Sequence, residues 1–147
     1  MKAIFWELPE NLSMDAWAIS VVLQHYGPRT HIAVLTPDIR NAEQLDELLW
    51  QLPDRFIAHA LADETTASKA PVVIGPSVQP ASRPFEHAIN LSERLAINEI
   101  QCHTWHEPVP ADEADRQEAR KRFKSYRQQG VQTEFKPWTG ADNDIQG

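Results

Sequence analysis

The chain has 147 residues and a net charge of −7, a length typical of one domain whose core needs neither a metal nor a disulfide. Its one cysteine, Cys102, excludes an internal disulfide, and there is no apolar run of about 18 residues and no N-terminal signal pattern, so we expect a cytoplasmic protein. The negative charge disfavours binding to bulk DNA by long-range attraction.

The first half of the chain predicts alternating strands and helices. Residues 3–6 form an apolar run that predicts a strand, and Ser13 can cap a helix over residues 14–26. The continuous apolar run 31–35 predicts a strand that is covered on both faces. Asn41 is predicted to cap a second helix that ends before Pro53. Its predicted buried stripe consists of Leu45, Leu48, Leu49 and Leu52.

The second half predicts further strands, one long helix and a tail. The strands are predicted at residues 56–59, 72–74, 88–91, 101–105 and 131–136, the loops at 63–69 and 75–84, and the helix at 111–129. Residues 139–147 contain too few apolar side chains to fold, so we predict a disordered tail after one domain of residues 1–138. The pattern predicts an α/β, Rossmann-like layered fold with a mostly parallel central sheet and flanking helices.

The sequence predicts no active site on this fold. None of the five glycines belongs to a Gly-rich turn between a strand and a helix, and the loop after the first strand carries Glu7 and Glu10, which would repel a pyrophosphate. His103 and His106 lie near a predicted strand end and do not direct both rings at one metal ion. Cys102 has no basic neighbour that would activate its thiol. We therefore expect no catalytic residue, no metal site, no nucleotide site and no cofactor.

The long helix carries a concentration of positive charge. Six of the 14 basic residues lie between Arg116 and Arg127 with only one acid, so this segment has a charge of +5 and the rest of the chain −12. At about 100° per residue the cations form a stripe beside an apolar strip, with Phe123 at the border. The stripe consists of Arg116, Arg120, Lys124 and Arg127, and the strip of Ala119, Phe123 and Tyr126.

Such a stripe favours a ligand that combines anionic groups with an apolar anchor, which fits an acidic peptide or single-stranded nucleic acid. The alternative is a solvated amphipathic helix without a partner. Solvated helices usually alternate acids and bases four residues apart, whereas this stripe is predicted to be unpaired by its own helix. The sequence therefore favours a binding surface.

Trp50 is a second candidate contact residue. It lies about 140° around the second helix from Leu45, on the polar side with Glu43 and Asp46. A tryptophan there is typical of an interface anchor. The alternative is that the following loop covers it through Phe56, and the pattern alone leaves both interpretations open.

Four segments together resemble the chi subunit of the bacterial DNA polymerase III clamp loader. They are residues 45–50 (LDELLW), 56–59 (FIAH), 70–74 (APVVI) and 120–127 (RKRFKSYR), and the similarity extends from about residue 5 to 138. The resemblance implies a non-catalytic adaptor that binds the acidic C-terminal tail of single-stranded DNA-binding protein (SSB), which ends in Pro-Phe. It also implies binding to the psi subunit of the clamp loader, and in some members to a helicase through the psi-binding surface.

The resemblance also implies the residues of each site. The SSB-tail site would consist of Val109, Arg116, Arg120, Phe123 and Lys124. The psi site would consist of Trp50, Phe56 and His59. The alternative function is direct binding of single-stranded nucleic acid, in which Phe123 and Tyr126 would stack on bases and the arginines would contact phosphates.

Overall fold

The computed structural model describes residues 1–79 and 84–140, and within them seven strands and three α-helices are found. The strands are β1 (Lys2–Glu7), β2 (Ile32–Leu35), β3 (His59–Leu61), β4 (Val72–Gly75), β5 (Phe85–Asn90), β6 (Cys102–Val109) and β7 (Gln132–Pro137). The helices are α1 (Met14–His25), α2 (Ile39–Trp50) and α3 (Glu113–Gln128), and a 3-10 turn at Ala67–Lys69 precedes β4. None of the helices among the described residues has the length and apolar composition of a transmembrane span.

The seven strands form one sheet in the order β3-β4-β2-β5-β6-β1-β7, and every strand pair between described residues is parallel. This confirms the predicted α/β class. The sheet is more regular than the predicted mostly parallel one. Its interior strands β2 and β4 are buried at all positions, as expected of parallel strands covered on both faces.

The helices cover the two faces of the sheet unequally. Helices α1 and α2 pack on one face through Trp17 and Leu45, in a core that also contains Ile32 and Ile74. Of the described α-helices, α3 is the one that covers the other face, where it packs mainly against β6 and β7. One side of α3 therefore extends toward β7, which is an edge strand.

The beginning and the buried face of α2 differ from the prediction. The carboxylate of Asp38 accepts a hydrogen bond from the Asn41 N–H at 2.8 Å, so Asp38 is the N-cap and the prediction of Asn41 was wrong. The helix thus starts earlier, and its buried residues are Ala42, Leu45 and Leu49. Leu48 is 38% exposed, and Leu52 lies beyond the helix and is only half-buried. In α1, by contrast, Ser13 caps as predicted.

Three strands have bounds that differ clearly from the predicted ones. Strand β5 begins at Phe85, three residues before the predicted start. The strand predicted at residues 56–59 begins only at His59, and Phe56 lies in the preceding loop. Strand β6 continues past the predicted end at Trp105 to Val109. The sequence His106-Glu107-Pro108 does not resemble the interior of a strand, but Glu107 is buried there in a hydrogen-bond network. Most of the predicted disordered tail, residues 141–147, lies outside the described residues.

Candidate functional site

A buried carboxylate holds α3 on the sheet. The Glu107 side chain is fully buried, and its carboxylate accepts hydrogen bonds from the Nε of Arg122 at 3.0 Å and the hydroxyl of Tyr126 at 2.6 Å. It also accepts from Asn90 at 2.7 Å and from the indole of Trp105 at 3.0 Å. A charge is stable in the interior only when it is paired and hydrogen-bonded in this way. Burial and the neighbouring Glu107 carboxylate raise the pKa of Tyr126. The network fixes which side of α3 faces the core.

In contrast to Arg122, the residues of the cationic stripe lie mostly on the solvent-exposed side of α3. Arg120, Lys124 and Arg127 are exposed, and Arg116 is half-buried. The guanidinium of Arg116 forms an ion pair with Glu7 of β1.

The prediction that its own helix leaves the stripe unpaired was wrong for Arg120. Its guanidinium lies 4.0 Å from Glu113, and both side chains are largely exposed. This contact was not predicted because the two residues are two helical turns apart, whereas pairs four residues apart were expected. A long, exposed pair of this kind is worth about 0–1 kcal/mol, so it leaves Arg120 available to a competing carboxylate.

An aromatic cluster lies beside this stripe. Phe123 is half-buried, with its ring centroid 5.1 Å from that of Phe5 in an edge-to-face contact. Its other neighbour is Phe135 of β7, at 6.1 Å and 70°. Phe135 is 44% exposed. The guanidinium carbon of Arg127 lies 5.8 Å from the centroid of the Phe123 ring. The surface therefore combines exposed aromatic rings with cations. It includes Phe135, which was not predicted from the sequence.

Val109 does not reach this surface in the structure. It is the last residue of β6, pairs with Glu7 and is 1% exposed. Its carbonyl accepts a hydrogen bond from Leu8 at 2.9 Å. The side chain belongs to the core that supports the surface, so a ligand would touch it only after a rearrangement.

Trp50 and Phe56 form a second exposed aromatic surface at the end of α2. Trp50 is 57% and Phe56 68% exposed, and their ring centroids lie 5.7 Å apart. Phe56 contacts Trp50 without covering it, so burial under the loop is not observed.

The buried ring of His59 lies below Trp50, with the two centroids 4.9 Å apart. The Nδ1 of His59 lies 2.6 Å from the Ile57 carbonyl oxygen. Its Nε2 lies 3.0 Å from the Asp46 carboxylate, at an angle that does not make a hydrogen bond. These contacts orient the ring that supports Trp50.

The two aromatic surfaces lie at opposite edges of the sheet. His59 opens β3, the first strand in the spatial order, and Phe135 lies on β7, the last. Seven strands spaced by about 4.8 Å separate the two edges by roughly 30 Å. Helices α2 and α3 also pack on opposite faces. The two surfaces are therefore separate sites on the molecule.

Three histidines cluster on the sheet face opposite α3, where the sequence predicted no grouping. Ring nitrogens of His25, His87 and His106 lie within 4.8 Å of one another. The grouping arises from α1, β5 and β6, which only the tertiary fold brings together. Burial lowers the pKa of His106 well below its ordinary value, and burial with the nearby His25 lowers that of His87 to about 4. These two rings are therefore neutral at pH 7.

The hydrogen bonds of this cluster oppose metal binding. The indole N–H of Trp6 can only donate, and it donates to Nδ1 of His106 at 3.0 Å. The proton of neutral His106 must then lie on Nε2, which donates to Nδ1 of His87 at 3.0 Å. His25 stacks on His87 with centroids 3.7 Å apart and planes 22° apart, so their in-plane lone pairs do not converge. The geometry fits a neutral hydrogen-bonded stack.

Cys102 is a core residue. It is buried, and burial raises the pKa of its thiol to about 12. The thiolate that a nucleophile or metal ligand requires is therefore scarce at neutral pH. This agrees with the interpretation of Cys102 as a small apolar side chain of a strand.

Comparisons with known proteins bear on the whole chain. The sequence-family model described as "DNA polymerase III chi subunit, HolC" matches residues 1–134. The chain is also 30% identical over 144 residues to the DNA polymerase III subunit chi of Escherichia coli (strain K12), covering 93% of this chain and 98% of that protein.

Proposed function

Because the chain belongs to the DNA polymerase III chi subunit family, we propose that it is a non-catalytic adaptor that links SSB-coated DNA to the clamp loader. Membership of the family makes it an accessory subunit of the DNA replication machinery. The proposed partners are the acidic C-terminal tail of SSB and the psi subunit. The observation that carries the proposal is the pair of exposed aromatic surfaces at opposite edges of one sheet.

The tail would bind the surface of α3 that carries the cationic stripe. Arg120 and Lys124 are exposed and suit the aspartates of such a tail, and the open part of Phe123 suits its terminal ring. Arg116 would contribute after exchanging its carboxylate partner Glu7, and Val109 would support the surface from the core.

The energies of these contacts imply weak binding. Burial of one phenylalanine is worth roughly 1.5–3 kcal/mol and each exposed ion pair about 0.2–1 kcal/mol. Part of this is offset by the ordering of a flexible peptide, so we expect a dissociation constant on the order of micromolar that rises with salt. Several tails on one SSB assembly would strengthen the attachment through multivalency.

The psi subunit would bind the Trp50 surface. Two exposed aromatic rings in contact offer apolar area in the form that interface hot spots commonly take. His59 would contribute by holding the Trp50 ring from below rather than by direct contact, since its side chain is buried. A helicase that used the same surface would compete with psi.

Direct binding of single-stranded nucleic acid is the second candidate, favoured by the exposed cations of α3. It requires aromatic faces on which bases can stack. Tyr126, one of the two rings proposed for stacking, is fully buried and hydrogen-bonded to Glu107. This leaves the nucleic-acid alternative with less support than the peptide.

Calorimetric titration with four ligands separates these functions. The ligands are an acidic peptide ending in Pro-Phe, the same peptide with an amidated C-terminus, the peptide without its last residue, and a single-stranded oligonucleotide. We expect the complete peptide to bind and both altered peptides to bind at least several-fold more weakly. Tight oligonucleotide binding, together with no effect of removing the terminal phenylalanine, would contradict the adaptor proposal.

A further inference from the structure

We propose that the tail peptide binds as an added strand along the outer edge of β7, with an apolar side chain packed against the rings of Phe123 and Phe135. This inference rests on the proposed function and specifies how the peptide is held. It assigns a contact role to Phe135, which neither the sequence motifs nor the family resemblance singled out.

Within the described residues, the backbone of β7 has groups without a partner on one edge. Among the described strands β7 is the last in the sheet and pairs only with β1. The N–H of Trp138 donates to the Glu7 carbonyl of β1 at 2.9 Å. Because successive residues of a strand point their backbone groups to alternate sides, Thr133 and Phe135 direct their N–H and C=O groups away from β1. An extended peptide could pair with these groups.

The side chain of Phe135 lies on the face of the sheet that α3 covers. Phe135 pairs with Phe5, whose ring packs against Phe123. A peptide residue opposite Phe135 would place its side chain on the same face, about 4.5–5.5 Å from Phe135 at the Cβ atoms. An apolar side chain there would meet both Phe135 and the half-buried Phe123. The same peptide would thus pair with the backbone edge of β7 and pack its side chain on the aromatic rings.

The charges around this edge suit an acidic chain. Arg120, Lys124 and Arg127 are exposed on α3, and the guanidinium carbon of Arg127 lies 5.8 Å from the ring of Phe123, which contacts Phe135 of β7. Acidic side chains of an added strand would lie below these cations. Pro137 lacks an N–H and ends the strand, which restricts pairing to a short segment. A short paired segment fits the end of a tail. The proline of the Pro-Phe end has no N–H to pair, so it can only occupy a position whose nitrogen faces solvent.

Amide hydrogen exchange and affinity measurements test the strand and the ring separately. We expect the Thr133 and Phe135 amides to exchange more slowly when the acidic Pro-Phe peptide is added to the wild-type protein. We expect Phe135→Ala to weaken peptide binding about tenfold and Phe135→Leu to restore most of it, because leucine keeps the apolar contact. Leu95→Ala, which changes an apolar side chain 56% exposed elsewhere, is the matched control and should have no effect.

The outcomes distinguish this inference from the proposed function. If the wild-type protein binds the peptide but Phe135→Ala binds equally well and neither amide is protected, strand addition is wrong while tail binding stands. If the wild-type protein does not bind the peptide at all, the proposed function fails first. Sedimentation of the protein without peptide shows whether a second copy of the chain binds this edge instead. A dimer that Phe135→Ala dissociates would assign the edge to a second copy of the chain and overturn the inference.

Discussion

The Nε of Arg122 lies 3.0 Å from the fully buried carboxylate of Glu107, and this contact determines what the basic helix can do. Of the six cations between residues 116 and 127, Arg122 is turned into the core to anchor α3. This orientation of α3 leaves Arg120, Lys124 and Arg127 exposed to solvent. One cation of this helix thus stabilises the fold, and three others remain at the surface.

Removal of one partner of this buried pair should be strongly destabilising. We expect Arg122→Met to lower the free energy of unfolding by about 3–5 kcal/mol, because it leaves the Glu107 carboxylate buried without its cation. Urea unfolding followed by circular dichroism measures the change. The control is Lys121→Ala, which removes an exposed ion pair with Glu118 and should cost at most about 1 kcal/mol. Equal effects of the two substitutions would contradict the anchoring role.

Single substitutions should separate the two proposed partners. Arg120→Ala should weaken binding of the SSB tail about two- to fivefold, as expected for the loss of one exposed ion pair, and should leave psi binding unchanged. Trp50→Ala should do the reverse, with a loss of roughly 30-fold or more for psi if Trp50 is a hot spot. Pull-downs and titrations with each partner measure both effects. A folded variant that loses both partners would refute the separation of the surfaces.

Stability should fall in mild acid because of the histidine cluster. The pKa of His87 falls from the ordinary 6.5 to about 4 in the folded protein, so between these values the unfolded chain binds more protons. The contribution of neutral His87 to the free energy of unfolding is fully present above pH 6.5 and is lost as the pH falls toward 4. For His87 alone we expect a loss on the order of 1–2 kcal/mol, since the exposed part of its ring reduces the effect.

Urea unfolding of the wild type and of His87→Gln, measured between pH 4.5 and 7.5, tests this dependence. Glutamine does not titrate, so the variant should have a flatter pH profile. Parallel profiles for the two proteins would show that His87 does not cause the acid sensitivity.

The thiol of Cys102 should react slowly in the folded protein. Burial raises its pKa to about 12 and limits access, so a disulfide reagent should label it at pH 8 far more slowly than in urea-unfolded protein. Labelling followed by absorbance measures the ratio of rates. Comparable rates in both states would contradict the assignment of Cys102 to the core.

The order of strands and helices could be predicted from the sequence because apolar runs and caps are local signals. Ser13 capped α1 as predicted. Strand β6 was predicted too short because a glutamate within a strand signals solvent. Only the tertiary fold supplies three of the four donors that allow Glu107 to be buried, and the fourth, Trp105, lies on the same strand.

The candidate surfaces were predicted in part. Helical periodicity placed Trp50 on the polar side of α2 but left open whether the following loop covers it, and the structure shows that it is exposed. The proximity of Phe135 to Phe123 depends on the register between β7 and β1, which the sequence of one strand does not contain. For the same reason the burial of Val109 was not foreseen, because it follows from the pairing of β6 with β1.

Binding of the tail in the presence of psi tests the adaptor account most directly. The measurement is the fluorescence anisotropy of a labelled acidic Pro-Phe peptide titrated with the protein, alone and saturated with psi. Because the surfaces lie at opposite edges of the sheet, we expect the same dissociation constant in both titrations and a larger anisotropy in the ternary complex. Release of the peptide when psi is added would contradict the account.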